Sequence, residues 1–171
     1  MQRRTSPHLL RLTRAALIAA LYVALTYLSA LLGISSGVIQ FRLSEMLCIL
    51  PVIMPEAVIG LYLGCMLSNL LTGCVLWDVI FGSLATLLGA LGAYALRRMP
   101  PPLGWIATLP TVLANMLIIP PVLSYAYGAT DSFWYMMLTV GIGEIVCATG
   151  GGSLLYYLTS RGDVLKKINS L

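Results

Sequence analysis

The sequence predicts an all-α integral membrane protein of six transmembrane helices, both termini cytoplasmic, with a short or irregular second helix. Three observations carry that expectation. First, 59% of the 171 residues are hydrophobic and 9% are charged, against roughly a quarter charged in soluble domains. The mean hydropathy is +0.93. A soluble core of this size cannot hide so much apolar surface, which excludes a soluble enzyme, a nucleic-acid module and a disordered chain. Second, Pro, Gly and charge divide the chain into six apolar segments, and at about 20 residues per span the length accommodates six in one domain over residues 1–171. Third, the basic residues gather on one side of those segments.

The segments run in order as follows. Residues 12–32 follow a basic leader containing Arg3, Arg4, Arg11 and Arg14. That run is long for a signal core and lacks a small-x-small cleavage site, so the helix is expected to be retained. Residues 44–54 are cut by Pro51 and closed by Pro55. As an α-helix they rise only ~16 Å, about half a hydrocarbon core, so a tilt, a break or irregular backbone inside the protein is expected. Residues 56–71 and 79–96 are the third and fourth segments. Residues 105–125 contain Pro110, Pro120 and Pro121, and residues 133–159 precede a basic tail with Arg161, Lys166 and Lys167.

Of the ten Lys and Arg residues, Arg42 alone falls opposite Arg3, Arg4, Arg11, Arg14, Arg97, Arg98, Arg161, Lys166 and Lys167. The positive-inside rule then places both ends in the cytoplasm, as in a multi-pass protein of the cell membrane, and requires an even number of spans. Small residues mark close helix approach: Gly60, Gly64, Ser68 and Thr72 on the third segment, Gly82, Ala85, Gly89 and Ala93 on the fourth. On the first, Ala15, Ala16, Ala19, Ala20 and Ala24 give overlapping Ala-x-x-x-Ala spacings, a face suited to a helix of a partner subunit.

Polar residues inside apolar segments are costly and usually face the protein interior. Glu144 lies about eleven residues into the last segment and Asn115 near the middle of the fifth. Asn69 falls near the end of the third, Asp78 with Trp77 at the start of the fourth, and Arg42 and Glu45 beside the short second one. Bland readings accompany them: an Arg42–Glu45 ion pair, Glu45 and Asp78 as helix-start acids, Asn115 as interhelical glue. Glu144 fits such a reading least, since nothing nearby in sequence neutralises it. Cys48, Cys65, Cys74 and Cys147 lack metal-ligand spacing, His8 stands alone, and neither a metal nor a cofactor is expected. Without a phosphate-binding loop or a hydrolase motif, the chain is not expected to hydrolyse ATP or to be an enzyme. The polar inventory suits a small binding cavity opening outwards, beneath a loop (33–41) rich in Gly33, Ser35, Ser36 and Gly37.

The run Val38-Ile39-Gln40-Phe41-Arg42-Leu43-Ser44-Glu45-Met46-Leu47 with Leu50-Pro51 resembles the signature of the QueT family. So do Gly60-Leu61-Tyr62-Leu63-Gly64-Cys65 with Asn69, and Asp78-Val79-Ile80-Phe81-Gly82-Ser83-Leu84-Ala85-Thr86-Leu87. The resemblance covers nearly the whole chain. It implies a six-helix substrate-binding (S) component of an energy-coupling-factor transporter, an ABC-type importer of queuosine precursors, 7-deazaguanine derivatives such as prequeuosine or queuine. It also implies as partners a transmembrane coupling subunit, met through the alanine face, and two ATP-binding-cassette ATPases.

Our residue-level expectations go further. The Glu144 carboxylate accepts the adjacent ring N–H and exocyclic amine of a guanine-like edge, with Gly141 and Gly143 leaving room for the ring. Asn115 or Asn69 donates to the carbonyl, and Trp77, Tyr125 or Trp134 stacks on the ring. Gln40 and Arg42 approach the ligand when the loop closes. The rival readings are an S component for riboflavin, thiamine or biotin, and an integral membrane enzyme using Glu144 with Asp78 or Glu45 as acid and base.

Overall fold

The computed structural model describes residues 6–35 and 39–161. These residues contain six α-helices and no strand: α1 (Pro7–Leu31), α2 (Ala57–Leu71), α3 (Leu76–Ala95), α4 (Leu109–Tyr127), α5 (Phe133–Glu144) and α6 (Gly152–Arg161). The short second segment is a 3-10 helix, Leu43–Val52, and a second 3-10 stretch, Pro101–Thr108, leads into α4. A π-helical stretch, Ile145–Gly151, joins α5 to α6.

Four apolar helical stretches are long enough to cross a membrane: Pro7–Leu31, Leu76–Ala95, Leu103–Tyr127 and Phe133–Thr159. The 3-10 segment and α2 are shorter, so the six apolar segments expected from sequence are present but two fall short of a full span. The expected irregularity of the second segment takes a definite form. Pro51 lies inside it and cannot donate a backbone hydrogen bond. The tighter winding stretches ten residues to ~20 Å rather than ~15 Å. Far from peripheral, this segment is central: Cys48 and Ile49 are fully buried, and Leu47, Cys48 and Leu50 share a core with Ile18 and Tyr22 of α1 and Leu61 and Cys65 of α2.

Small residues bring the long helices together. A Cβ at Gly60 would meet the Ala15 carbonyl at 2.6 Å, and one at Gly64 would meet Ala19 Cα at 3.0 Å. Ala15 and Ala19 are therefore buried against α2, whereas Ala16, Ala20 and Ala24 are exposed. The alanine face of α1 divides into an inner pair and an outer trio. Gly89 admits Thr111 in the same way, seating α4 on α3. The exterior carries large apolar side chains such as Leu12, Leu31, Leu63 and Leu117, as a lipid-facing surface does.

The two ends of the bundle differ in charge. At one, Arg14 of α1 pairs with Glu56 just before α2 (3.1 Å), and Arg97 stacks 3.9 Å above the Tyr94 ring at the end of α3. We call this the basic end. Arg42 and Asp78 meet at the opposite end. Arg3, Arg4, Lys166 and Lys167, part of the expected charge bias, lie outside the described residues.

Candidate functional site

Four of the sequence-derived candidates converge. Gln40 and Arg42 from the chain leading into the 3-10 segment, Asn115 of α4 and Glu144 of α5 line one cavity, with Ile119 and Val140 as its apolar walls. Glu144 is buried, and its Oε2 has no hydrogen-bond partner. Asn115 is also buried; its amide donates to the Thr111 carbonyl one turn back (3.2 Å), which leaves its second N–H and its oxygen for other partners. A buried carboxylate oxygen without a hydrogen-bond partner is unfavourable unless something else meets it. The cavity is nearly closed, with about 20 Å³ of free space, room for about one water.

Local sequence explains the closure. A Cβ at Gly143 would collide with the Gln40 carbonyl, and one at Gly141 would lie 2.8 Å from the Met116 sulfur. The sequence led us to expect that these two glycines leave room for a ring; in the structure they do not hold such space open. Their missing side chains are already replaced by the Gln40 backbone and the Met116 side chain. Immediately beyond Glu144 the backbone widens into the π-helical stretch, a feature frequent at functional sites.

The roof is tied down at its edge. Arg42 Nη2 lies 3.7 Å from Asp78 Oδ2, and the Tyr127 hydroxyl donates to that same oxygen at 3.1 Å. Arg42 thus pairs with Asp78 and not with Glu45, the partner considered from sequence. Asp78 does occupy the first turn of α3. Glu45 is buried elsewhere, accepting from Tyr22 Oη on one oxygen and from Cys48 Sγ (3.2 Å) on the other. Asn69 is likewise engaged, its amide donating to the Asp78 carbonyl at 3.2 Å, close to Gly82. The base of the loop is anchored by Phe41 N–H to the Ile34 carbonyl (2.9 Å) and Leu43 N–H to Ser29 Oγ (2.9 Å). Ser36 and Gly37, part of the expected movable cover, lie outside the described residues.

The aromatic candidates are placed apart from this cavity. Trp77 (60% exposed), Trp134 (72%) and Tyr125 (93%) face outward. Trp77 and Tyr125 line a separate, apolar groove of about 620 Å³ between α3 and α4. That groove is roomier, but the convergence of buried polar groups makes the smaller cavity the candidate site. Sequence reasoning missed Tyr22 and Tyr127, which hold Glu45 and Asp78. Tyr22 lies inside α1 and Tyr127 ends α4, neither in a distinguishing sequence pattern, and each is 23 or more residues from its partner.

A helical bundle with apolar spans, a lipid-like exterior and a buried polar cavity defines a multi-pass membrane protein. Residues 12–161 match the QueT transporter family, and the chain belongs to that family. It is 32% identical over 157 residues to the queuosine precursor transporter QueT of Lactococcus lactis subsp. cremoris (strain MG1363), an alignment covering 87% of this chain and 92% of that protein. No solved structure matches the chain.

Proposed function

We propose that the chain is the passive substrate-binding subunit of an energy-coupling-factor transporter that imports a queuosine precursor, a 7-deazaguanine such as prequeuosine or queuine. The observation that carries this reading is the buried, unpartnered Glu144 oxygen facing a cavity shared with Asn115, Gln40 and Arg42. A carboxylate accepts the two neighbouring donors of a guanine-like edge, and an amide donates to the adjacent carbonyl. The name of the Lactococcus relative supports the substrate class. In this arrangement Ile119 and Val140 meet the faces of the ring. Trp77, Tyr125 and Trp134 reach it only if the bundle opens at the Arg42 end.

The Arg42 end faces outward and the basic end faces the cytoplasm. Ligand enters from outside when residues 39–42 lift away from α3 and α5. Energy comes from two ATPases acting through a membrane coupling subunit, which docks on Ala16, Ala20 and Ala24. Small exposed residues at a four-residue spacing suit close approach of a foreign helix in lipid.

Calorimetry on the purified chain tests the reading. Prequeuosine, its nitrile precursor or queuine binds at one per chain without turnover, and riboflavin, thiamine and biotin do not. Binding of one of those vitamins in their place overturns the substrate assignment. Product formation by the isolated chain overturns the transport reading.

A further inference from the structure

We propose that the cleft at the basic end is a binding site for an acidic phospholipid. The start of α1, the turn at residues 53–56 and the end of α3 enclose a cleft of about 740 Å³. Its rim is polar: His8 and Arg11 stand exposed, and Arg14 is bound to Glu56 at 3.1 Å. Tyr94 closes one side, with the Arg97 guanidinium stacked on its ring at 3.9 Å. Among the described residues that line the cleft, the guanidiniums of Arg11 and Arg14 stand against one carboxylate, Glu56, with Arg97 behind Tyr94, which leaves this rim positive. The walls are apolar. Leu12 and Ile59 line the cleft and are 68% and 60% exposed on the outer surface of the bundle.

That combination selects a ligand. A positive rim at the end of a membrane span, continuous with apolar side chains that face hydrocarbon, matches a phosphate headgroup with its acyl chain running along the helix. Arg11 and His8 are placed to donate to the phosphate, and Arg binds phosphate oxygens through paired N–H groups. Leu12 and Ile59 receive the first methylenes of the chain. A water-soluble phosphate would use the rim and leave the apolar walls uncovered. The polar rim is turned away from the exposed alanines: at about 100° per residue, Ala16, Ala20 and Ala24 centre roughly 0.4 of a turn around α1 from His8, Arg11 and Ala15, whereas the apolar wall at Leu12 lies one turn before Ala16 and borders that face.

Native mass spectrometry of the full chain, taken from nanodiscs of equal phosphatidylglycerol and phosphatidylcholine, tests the proposal. We expect one phosphatidylglycerol to be retained in preference to phosphatidylcholine. Retention should fall at least about fivefold in Arg11→Gln, in line with the attraction of about one basic side chain for an anionic headgroup, and remain unchanged in Arg98→Gln, outside the cleft lining. Because Arg11 is exposed, circular dichroism should show that the variant keeps its helices. Equal retention of both lipids, or undiminished retention in a folded Arg11→Gln protein, overturns the proposal. So does displacement of the lipid by millimolar inorganic phosphate, which identifies a plain anion site. Displacement by the coupling subunit overturns it too and reassigns the cleft to protein docking.

Discussion

Arg42 and Asp78 join the chain entering the 3-10 segment to the first turn of α3, with Nη2 and Oδ2 3.7 Å apart. Tyr127, the last residue of α4, donates to that same carboxylate oxygen at 3.1 Å and accepts from the Val75 N–H at 3.4 Å. Three parts of the bundle are thus fastened through one carboxylate at the rim of the candidate site. A ligand that passes this rim must loosen the fastening.

Tyr127→Phe removes the hydroxyl and keeps the ring. The lost hydrogen bond is about 1 kcal/mol at a partly exposed position, so ligand association should accelerate about fivefold. Stopped-flow tryptophan fluorescence reads that rate. An association rate equal to wild type would show that Tyr127 does not restrain entry.

In the proposed binding mode, Glu144→Gln preserves size but turns an acceptor oxygen into a donor facing the donors of the ligand. The loss of a buried charged partner is on the order of 2–4 kcal/mol, or roughly thirty- to a thousandfold in affinity. Calorimetry on the folded variant measures it. A dissociation constant within about threefold of wild type would move the recognition role to another carboxylate.

The division of the α1 alanines yields a paired outcome. Ala16→Trp and Ala20→Trp, on the exposed side, should abolish co-purification with the coupling subunit and leave substrate binding intact. Ala19→Trp, on the buried side, should damage the subunit itself, because Ala19 Cα sits 3.0 Å from where a Gly64 Cβ would stand. Coupling unaffected by either outer tryptophan would remove that face from docking.

Gly64→Leu probes the α1–α2 seam from the other helix. Even a Cβ there would lie 2.8 Å from Tyr22 Cβ, so the helices must separate and Tyr22 must shift from Glu45. Overpacking of this kind is destabilising by about 1–3 kcal/mol. Thermal unfolding in detergent should show the midpoint falling by several degrees. An unchanged midpoint would mean that the seam adapts.

Much of this architecture was legible in the sequence because lipid imposes strong patterns. Apolar run length, proline breaks and four-residue small spacings located every segment, the scarcity of polar groups in and beside the apolar runs singled out Glu144, Asn115 and Arg42, and Gln40 entered through the loop expected to close over the ligand. What failed was direction. The sequence does not tell which of Ala15 and Ala16 turns inward, since both belong to the same alanine run; the position of α2 decides. Nor does it show that Met116 fills the space beside Gly141, because a glycine marks close approach without naming the neighbour. The aromatic candidates followed from chemistry alone, and their outward placement reflects the usual location of Trp and Tyr near the ends of membrane spans.

The nearly closed cavity has a consequence for measured affinity. Under the proposed function, room for about one water means that a ligand the size of a 7-deazaguanine binds a more open form of the protein, a minority population before it binds. The observed dissociation constant then equals the intrinsic one divided by the fraction of molecules already open. Substitutions that never touch the ligand can tighten binding by enlarging that fraction. At high ligand concentration, the observed association rate should level off at the frequency with which the protein opens.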